Sequence, residues 1–310
     1  MAFDFASSTA YFEGSFVPMS EAKLSIASSP VLYGLTVYTV FSANWNAEKQ
    51  KLYIFRLRDH YTRLIRSARI MDFDDFEKSC SFEAFQEIIM KLIKRNQVRE
   101  DVLVRVAIYV DEVIAGTKIH GLKNSLSAFV YPFGTILNPK GIDVCVSSWT
   151  RTQDNAQPSR AKINGSYINA SLMKNEALLN GYDEAIALDS SGHVTEGTVA
   201  NLFIIRDGAL ITPDKSTDLL EGITRSSVLE IAHEKGIKTE QRPVDRSELY
   251  IADEMFMCGS SARIVPILSV DKRPVGTGKQ GAVTRDIAKA YRAAQFGETP
   301  DTNHWLTEAK

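Results

Sequence analysis

Ala161-Lys162-Ile163-Asn164-Gly165-Ser166-Tyr167 sets a lysine and a tyrosine five residues apart, at the entrance to a run whose apolar spacing predicts a helix over 163–180. Around this stretch the pattern alternates. Segments at 142–149, 184–188, 202–206, 209–212 and 254–257 have the β-branched and apolar content of strands, and helices are expected at 223–235 and 282–294. Asp189-Ser190-Ser191-Gly192 and Arg206-Asp207-Gly208 have the chemistry of tight hairpin turns. The second half of the chain is therefore expected to be a mixed α/β or α+β domain built around a sheet.

Upstream, residues 52–58 suggest a short strand, and Asp59 opens a helix with Leu64, Ile65, Ala68 and Met71 on one side. A second amphipathic helix starts near Ser81, with Phe82, Phe85, Ile88, Ile89, Leu92 and Ile93 forming one apolar stripe. Strands follow at 101–110 and 126–133. Residues 132–141 hold two prolines and two glycines, the composition of a connector. The expected organisation is a small N-terminal α/β domain over 1–133, a connector over 134–141 and a larger domain over 142–310.

The chain has 310 residues and 44% hydrophobic content, enough for two cores. Its 36 basic and 38 acidic residues give a net charge of -2, with no concentration of positive charge able to neutralise nucleic-acid phosphates. Nucleic acid is not expected as a partner. The first ten residues lack the basic start and apolar run of a signal peptide, and no apolar stretch reaches the ~20 residues of a membrane helix. The three cysteines, Cys80, Cys145 and Cys258, form no CxxC pair, which points to a reducing compartment and a cytoplasmic location. The five histidines make no metal-ligand spacing with one another or with cysteine, so no metal is expected.

Gly276-Thr277-Gly278-Lys279-Gln280-Gly281 matches the G-x-G-x-x-G pattern of a dinucleotide-binding turn. Such a unit needs a second strand and an acidic residue about 20 positions on. Here the chain runs into a polar tail instead, so a glycine-rich turn into the last helix is the expected role.

Four segments hold chemistry in a fixed order: 161–167, Val194-Thr195-Glu196-Gly197-Thr198-Val199-Ala200-Asn201, Leu220-Glu221-Gly222-Ile223-Thr224-Arg225, and Met257-Cys258-Gly259-Ser260-Ser261-Ala262. In content, order and separation they resemble the class IV aminotransferases, the pyridoxal-phosphate fold type IV group of branched-chain aminotransferases, D-amino-acid transaminases and aminodeoxychorismate lyase. The branched-chain pattern is the nearest. The resemblance implies a two-domain α/β (α+β) fold of the D-amino-acid-aminotransferase type, with pyridoxal 5'-phosphate as cofactor.

It further implies that Lys162 forms the Schiff base and then moves the substrate's Cα proton. A free lysine with a pKa of about 10.4 is a poor base at neutral pH, so its setting must favour the neutral amine. Glu196 takes the role of the carboxylate beside the cofactor's ring nitrogen, and Tyr167 that of the tyrosine bonded to its phenolic oxygen. Gly222-Ile223-Thr224 lies where a helix begins, so the backbone N–H groups of Ile223 and Thr224 can meet a phosphate along a favourable dipole. Arg58 resembles the family's phosphate arginine. It is preferred by register over Arg56, two residues away on the same expected strand face. Ser260, with Ser261, resembles the turn between phosphate and substrate carboxylate.

The substrate region departs from the branched-chain pattern. Where that family has Tyr-Gly-x-x-x-Phe-Glu-Gly-x-Arg, this chain has Tyr33-Gly34-Leu35-Thr36-Val37-Tyr38-Thr39-Val40-Phe41-Ser42. The family's Tyr-x-Arg becomes Leu103-Val104-Arg105, which keeps an arginine able to pair a carboxylate. Tyr33, Tyr38 and Arg105 are the pocket candidates. The expected reaction moves an amino group from an L-amino acid, branched-chain or otherwise apolar, to 2-oxoglutarate by a ping-pong route. The alternatives are a D-amino-acid or (R)-amine transaminase, aminodeoxychorismate lyase, or a catalytically silent cofactor-binding protein. A homodimer with a partner loop at 116–124 is implied by the resemblance.

Overall fold

The computed structural model describes residues 5–73, 76–114, 116–134, 137–301 and 303–309. The chain divides into two units: Met1–Gly134 with Ala161–Gly165 and Ala293–Lys310, and Thr135–Arg160 with Ser166–Arg292. This partition differs from an unbroken second domain over 142–310, because residues 161–165 and the C-terminal segment group with the first unit. Of the expected connector, residues 135 and 136 lie outside the described residues.

In the first unit β1 (Thr9–Phe12) and β2 (Ser15–Pro18) form a hairpin, and α1 (Ser29–Tyr33) leads into the long β3 (Thr36–Asn46). Then come β4 (Lys51–Phe55), α2 (Leu57–Ile70), α3 (Phe76–Ser79), α4 (Phe82–Arg95), β5 (Val102–Val110) and β6 (Asn124–Pro132). The second unit contributes β7 (Ile142–Thr150), α5 (Tyr167–Leu179), β8 (Glu184–Leu188), β9 (Val194–Gly197), β10 (Asn201–Arg206) and β11 (Ala209–Thr212). It continues through α6 (Ile223–Glu234), β12 (Thr239–Gln241), β13 (Glu254–Gly259), β14 (Arg263–Val270), β15 (Arg273–Pro274) and α7 (Ala282–Gln295), of which the residues from Ala293 on group with the first unit. Finally β16 (Leu306–Ala309) completes the first unit.

The first sheet has seven strands in the order β16-β4-β3-β5-β6-β1-β2, antiparallel throughout. One face of it packs against α2 and α4, where Val37, Phe41, Val104, Val106 and Ile108 meet Leu64, Phe85, Ile89 and Leu92. Burying an aliphatic or aromatic side chain of this size contributes about 1.5–3 kcal/mol each. Ser81 caps α4 by accepting a hydrogen bond from the Ala84 N–H, as the helix start expected near Ser81 requires. The expected strand over 52–58 ends sooner, at Phe55. Arg56 adopts a left-handed conformation (φ 53°), turning the chain directly into α2, so Arg58 lies in a helix rather than on a strand.

The second sheet is mixed. Its order is β12-β11-β10-β13-β14-β7-β8-β9, with β15 paired to β14. Parallel pairing of β14 with β7 and of β7 with β8 sits beside antiparallel hairpins. One helix expectation needs a small correction. The helix expected over 163–180 begins only at Tyr167, preceded by a 3-10 turn at Asn164–Ser166. The Gly276–Gly281 stretch is a turn whose following helix is capped by protein: the Glu254 carboxylate accepts hydrogen bonds from the N–H groups of Val283 and Thr284 and from the Thr284 hydroxyl. A carboxylate thus already occupies the anion position at that helix end.

Candidate active site

Lys162 is held by its neighbours in an extended segment. Ala161 and Ile163 are both buried in the first unit's core, so their side chains face inward and that of Lys162 faces the other way, following the two-residue alternation of extended backbone. Ile163 bridges Val37 of β3, and the Tyr38 N–H donates to the Lys162 carbonyl at 3.0 Å. The Lys162 N–H donates to Ser67 Oγ of α2 at 3.1 Å. Gly34, in left-handed conformation, lies so close to Gly165 that a Cβ on it would stand 3.0 Å from the Gly165 backbone. Two glycines therefore let the Tyr33–Gly34 turn pass this segment.

Several polar groups gather on this side of the first unit. Lys162 Nζ lies 5.0 Å from the centroid of the buried Tyr38 ring, and the Arg105 guanidinium stacks on the same ring at 3.7 Å. Arg105 Nη2 donates to Asn164 Oδ1 at 2.9 Å. On the helix side, Thr39 Oγ1 lies 2.7 Å from His60 Nδ1 and 3.4 Å from Arg63 Nη2. Burial drives the His60 pKa well below its ordinary value, and the charges of Arg63, Arg56 and Lys162 push it further the same way. The ring is neutral, and its Nδ1 can accept the Thr39 hydroxyl hydrogen bond.

The placement of Arg58 corrects an expectation. It is exposed on α2, and its guanidinium stacks on the Phe82 ring at 3.8 Å. Arg63 is the arginine on the Thr39–His60 side. Ending the strand at Phe55 would have exposed it in the sequence, because His60, Arg63 and Ser67 share one face of a helix at i, i+3 and i+7. Tyr33 is 40% exposed at the end of α1, whereas Tyr38 is buried.

The second unit has its own cluster, at the ends of β9, β10 and β13. Glu196 is almost completely buried and forms an ion pair with Arg151, Oε1 to Nη2 at 2.9 Å. Its other oxygen accepts from Asn201 Nδ2 at 3.0 Å and from the Leu220 N–H at 3.3 Å. Asn201 also donates to the Leu220 carbonyl, and Arg151 Nε to the Asp218 carbonyl. The sequence reading missed Arg151; its position two residues after Trp149, just past the end of β7, was the available signal.

Gly222 caps α6, and a Cβ on it would lie 1.9 Å from Asn201 Oδ1. Ile223 and Thr224 form the buried first turn, whose N–H groups have no partner within a helix. The Thr224 hydroxyl lies 3.3 Å from Tyr291 Oη. Arg225 turns inward to Thr212, Pro213 and Gln241, so the positive charge closest in sequence to this helix end braces the fold. Ser260 and Ser261 form the half-buried turn between β13 and β14, and among the described residues their hydroxyls make no hydrogen bond. Tyr167 is half-buried as the first residue of α5.

Residues 36–270 match the family model for amino-transferase class IV. The chain belongs to the class IV aminotransferases. A probable branched-chain-amino-acid aminotransferase of Aquifex aeolicus (strain VF5) is 39% identical over 98% of this chain and 97% of its own length. The crystal structure of a branched-chain aminotransferase from Thermoproteus uzoniensis with norvaline superposes with a TM-score of 0.92 at 36% identity, covering 98% of this chain and all of that one, 100%. The PLP-form structure of a branched-chain amino acid aminotransferase from Thermobaculum terrenum gives 0.93 at 31%, covering 99% and 100%.

This aminotransferase therefore has the fold type IV architecture, acts on an amino acid and a 2-oxo acid, and uses pyridoxal phosphate. Its residues fit that cofactor. In the second unit a helix N-terminus and a serine turn each offer donors suited to a phosphate, and a buried paired carboxylate suits a protonated ring nitrogen; in the first unit Lys162 carries its amine on a segment pinned through the backbone N–H and carbonyl. Among the described residues no group of three or more histidine, cysteine or acidic side chains could hold a metal ion. No helix there is long and apolar enough to cross a membrane.

Proposed function

We propose that this aminotransferase takes the amino group of an L-amino acid with a branched or other apolar side chain and passes it to 2-oxoglutarate by a ping-pong route. The names of the relatives point to the donor class. The observation that carries the residue assignment is the anchoring of Lys162, gripped through both its N–H and its carbonyl between core residues 161 and 163.

Bound pyridoxal phosphate supplies an aldehyde for the amino group and a ring that accepts the electron pair released at Cα. Lys162 takes the Cα proton with its Nζ and returns it on the other side of the transfer, so one side chain serves as base and then acid. Glu196 holds a proton on the ring nitrogen, and Arg151 supplies the counter-charge that lets the carboxylate remain ionised in a buried place. Tyr167 donates to the phenolic oxygen. Ile223, Thr224 and Ser260 hold the phosphate, and Arg63 takes the arginine role expected of Arg58. Ser261 reads the α-carboxylate through its backbone, and Arg105 reads the second carboxylate of a dicarboxylic partner. We place Tyr38 in the substrate pocket, and leave Tyr33, exposed on its own unit, as a pocket residue of lesser weight. We also infer a homodimer, to be checked by light scattering on the eluting protein, and a cytoplasmic location, which rests on cysteine usage.

The test is the visible spectrum of the holoprotein on addition of each proteinogenic L-amino acid, its D-enantiomer and simple primary amines in turn. Loss of the cofactor's long-wavelength band with leucine, isoleucine or valine, and its return with 2-oxoglutarate, is the expected result. A response confined to D-amino acids or amines, or no response despite bound cofactor, would overturn the reading.

A further inference from the structure

Arg105 is a half-buried cation with no acidic partner among the described residues. Its guanidinium is fixed from two directions: the Tyr38 ring lies beneath it at 3.7 Å, and Asn164 Oδ1 accepts from Nη2 at 2.9 Å. Asn164 is only two residues from Lys162, in the 3-10 turn that follows it. The segment that fixes the lysine therefore also fixes the arginine. An amide oxygen is a neutral acceptor, strong enough to satisfy one guanidinium N–H and weaker than any carboxylate that competes for it.

We propose that Asn164 is a specificity-determining residue: it acts as a displaceable stand-in for the second carboxylate of a dicarboxylic substrate. This rests on the reading of Arg105 given above. When an apolar side chain is present, Arg105 stays on Asn164 and its charge does not face that side chain without a hydrogen-bond partner. When glutamate or 2-oxoglutarate is present, its distal carboxylate takes the N–H from Asn164 and adds the counter-charge the amide lacks. One pocket can thereby accept an apolar and an acidic partner in alternate half-reactions. Asn164 is a positioning residue here; it acts on substrate through Arg105.

The experiment measures binding of glutarate and of 4-methylvalerate to the holoprotein by calorimetry, which needs no turnover. Asn164→Asp, nearly isosteric, gives Arg105 a permanent carboxylate, and should weaken glutarate relative to 4-methylvalerate by about tenfold or more. Asn164→Ala removes the stand-in and should shift the ratio the opposite way by about threefold or more. In an Arg105→Met background Asn164→Ala, which adds no charge, should not move the ratio. Near-ultraviolet circular dichroism and the cofactor spectrum verify that each variant is folded and loaded, and the Asp and Ala variants are judged separately.

A ratio that stays within about twofold in either folded variant overturns the proposal. So do shifts in the same direction, or an Asn164→Ala shift that survives in the Arg105→Met background. If the wild-type holoprotein transaminates no donor yet the two variants show the opposed shifts in binding, the activity assigned above is wrong and the role of Asn164 stands.

Discussion

Replacing Gly222 by alanine puts the joint between the Glu196 cluster and the start of α6 under direct test. Gly222 has φ −70°, which alanine adopts freely, so backbone strain adds nothing. The cost lies in one contact. The new Cβ would stand 1.9 Å from Asn201 Oδ1, and that gap must open beyond 3.0 Å. Asn201 cannot retreat so far and still donate to Glu196 Oε2 at 3.0 Å and to the Leu220 carbonyl at 2.9 Å. A hydrogen bond to a charged group contributes about 1.5–3 kcal/mol and a neutral one about 0.5–1.5 kcal/mol. Gly222→Ala should therefore destabilise the second unit by roughly 2–4 kcal/mol, read as a lower urea midpoint, and should weaken cofactor binding. Asn201→Ala lacks both bonds and the clashing oxygen, so adding Gly222→Ala to it should cost under about 0.5 kcal/mol. Equal cost of the glycine substitution in both backgrounds would refute the reasoning.

Arg58 and Arg63, both on α2, separate by cofactor titration of the apoprotein. Arg63→Gln should raise the cofactor Kd by about 10–100-fold, the loss of one charge-assisted contact, while Arg58→Gln, exposed and stacked on Phe82, should leave it within about twofold. The reverse order would restore the arginine assignment made from register. Glu248 gives a pH signature: bidentate pairing with Arg242 holds its carboxyl down at about 2 against an ordinary 4.5. A depressed carboxyl adds stability that is complete above the unfolded value and is lost as pH falls from about 4.5 towards 2; for this shift it is on the order of 3 kcal/mol. Arg242→Gln should lower the urea midpoint at pH 7 and converge on the wild type in strong acid; a difference that stays constant with pH would sink the linkage.

Much of the second unit was legible because its chemistry is local. Glu184–Leu188 and Ala209–Thr212 are short apolar runs between turn residues, and their strands fall where periodicity puts them. The first unit was harder. β3, the strand beside the lysine segment, has almost every residue buried on both faces, yet its sequence mixes threonine, serine and asparagine among the apolar residues, so no alternation announces it. The strand-to-helix turn at Arg56 occurs within a single left-handed residue with no glycine, proline or linker to mark it. That concealed the face on which Arg63 lies. Motif order pointed to Lys162 and Glu196, but their partners, Asn164 with Arg105 and Arg151 with Glu196, are contacts over 59 and 45 positions that periodicity does not encode.

The pairing of β16 with β4 has a consequence for biosynthesis. During translation the ribosome releases the first 134 residues early, but the sheet they form still has an open edge along β4. The five residues that seat the lysine emerge later, and the strand that covers the edge emerges later still. The second unit, drawn from one nearly continuous middle stretch, can fold while the first still waits. A nascent chain halted before residue 306 would therefore expose an aggregation-prone strand edge along β4 on the unit that holds Lys162.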